Sequence, residues 1–215
     1  MGSEMCIRDR YNKMFALKKN RFFFSNMILD EEGETETTAK MYFKSGDKYE
    51  GYVFMNNPQG QGKLRMRDKS YYQGEFTEWG LKKGKFCHSS KMFFEGDFNY
   101  DNFKRGTFTF SNGDFFEGVW SLKGSLWVLN SGSFYHRSGK QMEKFNGEIM
   151  RKKDLQNKKI RIVYPTKSKF FKGAGFYEGE YQEDDEPTGS GIFIAAQPYW
   201  KEINMKNGLK HGIQR

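Results

Sequence analysis

The chain has 215 residues, with 36 Lys and Arg against 27 Asp and Glu, a net charge of +9 and a mean hydropathy of −0.87. No apolar run approaches the ~20 residues that a membrane helix needs, and no apolar core of a secretory signal lies near the start. Hydrophobic residues make up 36% and aromatics alone 18%, while 24 residues are glycine; aliphatic side chains are scarce, which argues against a helical or α/β core and for many short strands with glycine turns.

Residues 1–10 stand apart from the rest. The stretch Gly2 to Asp9 corresponds to the translation of a transposase mosaic-end sequencing adapter, so residues 1–10 are read as an adapter-derived artefact and set aside. On this reading the native N-terminus is missing. Cys6 is not native either, which leaves Cys87 alone, excludes an intrachain disulfide and fits a reducing, cytoplasmic compartment. Residues 11–40 read as an N-terminal arm or linker. It is basic and aromatic from Tyr11 to Phe24 and acidic from Asp30 to Glu36, with Phe22-Phe23-Phe24 expected to dock onto the first hairpin.

From Met41 onward the chain repeats itself. Met41 to Lys44 reads as the closing strand of an earlier, damaged unit. An anchor of aromatic, x, Gly, x, aromatic then recurs: Tyr49-Glu50-Gly51-Tyr52-Val53, Tyr72-Gln73-Gly74-Glu75-Phe76, Phe94-Glu95-Gly96-Asp97-Phe98 and Phe116-Glu117-Gly118-Val119-Trp120. Weaker copies are Phe145-Asn146-Gly147-Glu148-Ile149 and Tyr177-Glu178-Gly179-Glu180-Tyr181. A second glycine follows the anchors at Gly62, Gly84, Gly106, Gly124 and Gly191. Strand-like stretches such as Thr107-Phe108-Thr109-Phe110 alternate with period two, and Ser111-Asn112-Gly113-Asp114 is the strongest turn signal.

On a strand, residues two apart share a face, so Tyr72, Gly74 and Phe76 lie together with glycine between two rings, and Gln73 and Glu75 point to water. The bare glycine leaves room for a ring from the neighbouring strand. Each unit is then one hairpin that buries its aromatic face only against the next hairpin. The expected fold is all-β: an elongated, open-ended antiparallel array of about six hairpins over residues 41–215.

These residues resemble the MORN repeat family, whose motif runs Tyr-x-Gly-x-Trp, a Gly-rich turn, then Gly-x-Gly. Gly60-Gln61-Gly62 and Gly189-Ser190-Gly191 match the second element, and Asn207-Gly208-Leu209-Lys210-His211-Gly212 matches a further family segment. The last unit departs at Lys201, where its anchor glycine belongs, and the chain ends within that unit, which reads as a truncated C-terminus. The resemblance implies a non-enzymatic scaffold for protein–protein assembly at membranes or the cytoskeleton. It also implies, as an alternative, a regulatory or targeting module beside a lipid kinase or lysine methyltransferase domain. No cofactor is expected.

No catalytic or metal constellation emerges from the residues. Gly60-Gln61-Gly62 lacks the Lys-Ser/Thr and helix of a phosphate loop. Cys87 and His88 are adjacent and face opposite ways on a strand, so a nucleophile and base there do not meet. His136 and His211 share no ligand spacing. The acidic run Glu183-Asp184-Asp185-Glu186 reads as a solvated hairpin loop.

The segment 151–172 is the charged exception. It reads as an inserted basic segment, with Arg151, Lys152, Lys153, Lys158, Lys159, Arg161, Lys167, Lys169 and Lys172 against Asp154 alone. Mixed with Ile160, Ile162, Tyr164 and Phe170, it makes Lys152, Lys153, Lys158, Lys159, Arg161, Lys167, Lys169 and Lys172 candidate anionic-lipid-binding residues. The competing reading is an ordinary strand, Lys158 to Val163, whose charge is offset by the acids from Glu178 to Glu186. Nucleic acid is the weaker partner because the other repeats are not basic.

Overall fold

A computed structural model describes residues 21–27, 37–43, 45–54, 57–77, 80–99, 102–124, 126–166, 174–182, 184, 186–196, 201–206 and 209–211. It divides the chain into two units, residues 1–100 and 101–215. The described residues are all β, in successive antiparallel hairpins, with no helix among them.

In the first unit the strands pair in chain order. They are β1 (Arg21–Met27), β2 (Thr37–Phe43), β3 (Lys48–Phe54), β4 (Asn57–Arg65), β5 (Tyr71–Thr77), β6 (Gly80–Cys87) and β7 (Phe93–Asn99). The arm expected over residues 11–40 is thus partly strand: Phe22, Phe23 and Phe24 pair with Tyr42, Met41 and Lys40, and the boundary at 40 falls inside β2. The three consecutive phenylalanines favour extended backbone, and β2 offers a free edge to pair with. Residues 1–20 and 28–36 lie outside the described residues.

Register explains the repeat. Gly51 pairs with Gly62, Gly62 with Gly74, Gly74 with Gly84 and Gly84 with Gly96, so one row of glycines crosses β3 to β7. Anchor rings fill the space that the missing side chains leave. Tyr49 lies where a Cβ on Gly62 would project. The register breaks between Gly51 and Val53, and the Tyr49 hydroxyl donates to the Tyr52 carbonyl at this break, 2.7 Å away. Rings of successive hairpins then touch edge to face, Tyr49 on Phe76 at 5.3 Å and Tyr72 on Phe98 at 6.2 Å. Tyr49, Tyr72, Phe76, Phe86, Phe94 and Phe98 are all buried on this inner face.

The second unit holds two sheets. One contains β8 (Asn102–Thr109), β9 (Phe115–Lys123), β10 (Leu126–Tyr135) and β11 (Gln141–Lys144); the other contains β12 (Met150–Asp154), β13 (Lys159–Tyr164), β14 (Gly175–Tyr181), β15 (Pro187–Ala195), β16 (Lys201–Lys206) and β17 (Leu209–His211). Phe176 of β14 joins them. It stacks on Phe108 at 3.8 Å and 5° and touches Trp120 at 5.8 Å and Phe110 and Phe116 at 6.0 Å. The opposite face of the second sheet carries its own buried cluster of Ile160, Ile162, Tyr164, Tyr177 and Phe193. A sheet covered on both faces buries successive residues, which is why burial from Ile160 to Tyr164 does not alternate, Arg161 being its one charged member.

Several expectations change here. The glycine opposite Gly118 is Gly132, not Gly124, because the β9–β10 hairpin is long; Gly124 sits beyond β9 at φ +60° with open space around it. Phe145 and Gly147 do not form an anchor: they lie in the connection between β11 and β12, where Phe145 N–H makes a last bond to Gly132 O of β10 and Gly147, at φ +100°, has open space around it. Tyr177, Gly179 and Tyr181 do form one, with Gly179 paired to Gly191 and the Tyr177 ring over both. The position opposite Gly191 on β16 is Ile203, so the departure in the last unit falls there and not at Lys201. Within the segment 151–172 the chain up to residue 164 forms most of β12, a turn and β13.

The turns between hairpins share one geometry. Met66 N–H donates to Ser70 O and Lys69 N–H to Met66 O, and the same pair of bonds closes the turns at Phe43, His88, Phe110 and His136. The third loop residue is left-handed in each: Gly46, Lys69, Lys91, Gly113 and Gly139, with φ between 72° and 91°. Lysine at such a φ costs about 1–2 kcal/mol, offset on replacement by the greater freedom that glycine loses on folding, about 0.5–1 kcal/mol. Lys69→Gly and Lys91→Gly are therefore expected to raise the urea midpoint modestly, and Gly113→Lys to lower it. A methyl on Gly62 would intrude into the Tyr49 ring, so Gly62→Ala should destabilise by about 1–3 kcal/mol in the same measurement.

Candidate interaction surface

Among the described residues, the basic side chains of the segment 151–172 do not form one patch. Arg161 is buried at 5% exposure between the two sheets of the second unit. Its guanidinium bonds the Asp114 carboxylate at 2.5 Å and lies 3.6 Å from Asp154. Beside it Glu178 accepts the Ser111 hydroxyl at 2.8 Å and the Ser111 N–H at 3.2 Å. Both contacts reach across to the turn between β8 and β9, so Ser111-Asn112-Gly113-Asp114 serves as a turn and as a polar clamp on the opposite sheet.

Lys152 pairs with Glu143, Arg151 lies 4.0 Å from Glu186, and Lys153 sits 5.7 Å from the Tyr181 ring. Lys158 and Lys159 are exposed at the tip of the β12–β13 hairpin, beside Leu155 at 76% exposure. Asp154 closes this tip by accepting from Asn157 N and Nδ2, both at 3.1 Å; those bonds, and Arg161 after them, hold its carboxyl below the usual range. Lys159 pairs with Glu180, and the chain runs from there into the acidic turn closed by Gln182 N–H and Glu186 O. The basic tip thus has acids beside it on the next strand and turn. Lys167, Lys169 and Lys172 lie outside the described residues.

Cys87 and His88 do not meet as a dyad. Cys87 is half-buried on the outer face, where its bond with Tyr71, and burial after it, raise the Tyr71 hydroxyl pKa. His88 is buried in the next turn with Nδ1 2.7 Å from Ser90 Oγ. The rings of Tyr49 and Tyr177 are committed to the glycine rows, and burial pushes both hydroxyls up.

The outer faces carry features that the anchor pattern did not point to. In the second unit a trough of about 410 Å³ opens over Gly106, Gly118 and Gly132. Its walls are Arg105, Thr107, Glu117, Val119, Ser133 and Tyr135. Thr107, Glu117, Ser133 and Lys144 form one register row. The row that runs from Glu50 through Lys63, Gln73 and Lys85 to Glu95 in the first unit carries longer side chains. Short side chains open the trough, and Tyr135, stacked on Phe115 at 4.9 Å, closes one side. The signal in the sequence was the doubled aromatic, Tyr71-Tyr72, Phe93-Phe94 and Phe115-Phe116: the second ring faces the glycine row and the first faces out.

No family model matches the chain, and no curated protein matches it.

The Asp114–Arg161 pair generates a direct test. Removing one partner of a buried ion pair typically costs about 3–5 kcal/mol, whereas replacing both by apolar groups is often neutral. Arg161→Met is expected to destabilise the second unit strongly, and Arg161→Met with Asp114→Leu to recover most of the loss, read by hydrogen exchange of β9 and β13 amides.

Proposed function

We propose that the chain is a non-enzymatic repeat scaffold of the MORN type that carries protein partners on its outer sheet face. What supports the reading is the division of labour between the faces. Anchor rings and glycines are consumed in locking hairpin to hairpin, as Tyr49 does over Gly62 and Tyr177 over Gly191. The single observation that carries it is the trough over Gly106, Gly118 and Gly132, where short Thr107, Val119, Ser131 and Ser133 interrupt the long-side-chain surface. Its volume is within the range of ordinary binding clefts, about 300–1,000 Å³. Hydroxyls, one carboxylate and two cations around it offer donors and acceptors to a folded or extended peptide. Attachment to membrane or cytoskeleton belongs to the same proposal as what the family resemblance implies.

The test uses the immobilised full chain and a trough-filled variant, Val119→Arg with Ser133→Trp, whose positions face outward. Quantitative mass spectrometry of captured lysate proteins is expected to show a set retained by the native chain and reduced at least about tenfold by the variant, the size of a lost hot spot. No retention above bare resin, or the same set on both chains, would overturn the reading.

A further inference from the structure

The first unit carries a second surface, visible only once the strands are in register. Across the outer face of β2 to β7, Tyr42 pairs with Lys48, Lys48 with Arg65, Arg65 with Tyr71, Tyr71 with Cys87 and Cys87 with Phe93. Paired residues on neighbouring strands face the same side, so these six form one row, about 24 Å long at the ~4.8 Å strand spacing. The row contains no acid. Tyr42, Lys48 and Arg65 are exposed, and Tyr71, Cys87 and Phe93 are half-exposed. Two lysines of the next row lean onto it: Lys63 Nζ stands 4.1 Å from the Tyr71 ring centre and Lys85 Nζ 3.6 Å from that of Phe93. The acids closest in register are engaged, Glu50 by Lys40 at 3.3 Å and Glu95 by Lys85 at 3.4 Å.

We propose that this row of rings and cations binds single-stranded nucleic acid. A base offers a π face to a ring, and its phosphate offers charge to a cation, so one polymer uses both kinds of group at intervals along a line. An anionic membrane uses the charge alone and favours a protruding apolar group, whereas Tyr71 and Phe93 are only half-exposed. Lys85 is spent on Glu95, whereas Lys63 exchanges its 3.1 Å bond to Gln73 for a phosphate when a base takes the Tyr71 ring, and Lys48 and Arg65 stand exposed in the same row. Average composition hid this surface, because acids elsewhere in each repeat cancel the charge that register gathers into one row. The inference is independent of the partner trough, which belongs to the second unit.

Fluorescence anisotropy of the full chain with a labelled oligothymidylate of about twelve nucleotides tests it, a length within the span of known single-strand sites. Binding is expected, and with about three phosphate contacts it should weaken roughly twentyfold between about 50 and 200 mM salt. Tyr71→Ser with Phe93→Ser should weaken binding at least about fivefold for the lost stacking, read on protein whose circular dichroism shows the native β signal. Lys48→Glu with Arg65→Glu, at exposed positions that touch no core, should abolish binding and keeps the test decisive if the ring variant misfolds. The proposal is overturned if no oligonucleotide binds or if the Lys48/Arg65 variant binds as the native chain does. Loss of neither affinity nor base preference in a folded ring variant overturns it as well. Binding to phosphatidylserine vesicles without binding to the oligonucleotide would assign the row to a membrane surface instead.

Discussion

A ring seated over a neighbour's glycine is the contact on which this fold depends. Glycine in a strand interior is ordinarily a loss, because it packs nothing and orders at greater entropic cost. Here the loss is recovered across the strand: the space left by Gly62 is filled by Tyr49, that by Gly132 by Phe116, and that by Gly191 by Tyr177. A chain poor in leucine, isoleucine and valine thereby obtains burial from phenylalanine and tyrosine, each of which removes a large area from water. In two anchors the ring also carries a hydroxyl that the backbone uses. Tyr49 and Tyr177 each reach a carbonyl three residues on, Tyr52 and Glu180, next to a break in the ladder.

That contact also explains where the second unit departs from the pattern. Its second sheet must cover the Phe176 contacts on one face and the Tyr177 cluster on the other, and a glycine–ring ladder serves only one face. Aliphatics enter where both faces are dry, at Ile160, Ile162 and Val163. A charged residue in such a strand needs a partner across the interface. Arg161 finds Asp114 and Asp154, while Glu178, directly opposite it on β14, takes two bonds from Ser111. A segment whose composition suggests a solvated basic insertion is in this way part of the folded core.

Much of the fold is legible in the sequence, and the reasons for the rest are specific. The four regular anchors give the strands, the inner face and the glycine pairs, because their signal is local and period two. Gly147 misled because an aromatic–x–glycine triplet says nothing about whether a strand lies opposite. Gly124 misled because hairpin length, not glycine order, decides which glycine faces Gly118. The strand nature of Arg21–Met27 was hidden by reading charge runs over a wider window than the strand itself. The candidate surface was the least legible part. Lys152 and Arg161 read as free cations because their partners lie outside the segment, Glu143 on β11 and Asp114 in a turn 47 residues earlier.

Register also decides what the outer face can become. Once inner rings and glycines hold the hairpins together, the outward residue of each pair is released from any packing duty, and its identity alters the fold little. Rows on that face therefore vary almost independently of the core. One row alternates lysine with glutamate or glutamine from Lys40 to Glu95, its neighbour gathers rings and cations from Tyr42 to Phe93, and in the second unit the first row's positions shrink to Thr107 and Ser133 and leave a trough. Each is built by residues from 6 to 17 apart in sequence that register makes neighbours at strand spacing. A repeat of this kind thus converts a small change at one position per hairpin into a continuous stripe, so a recognition surface can arise without any change to the ring–glycine contact beneath it.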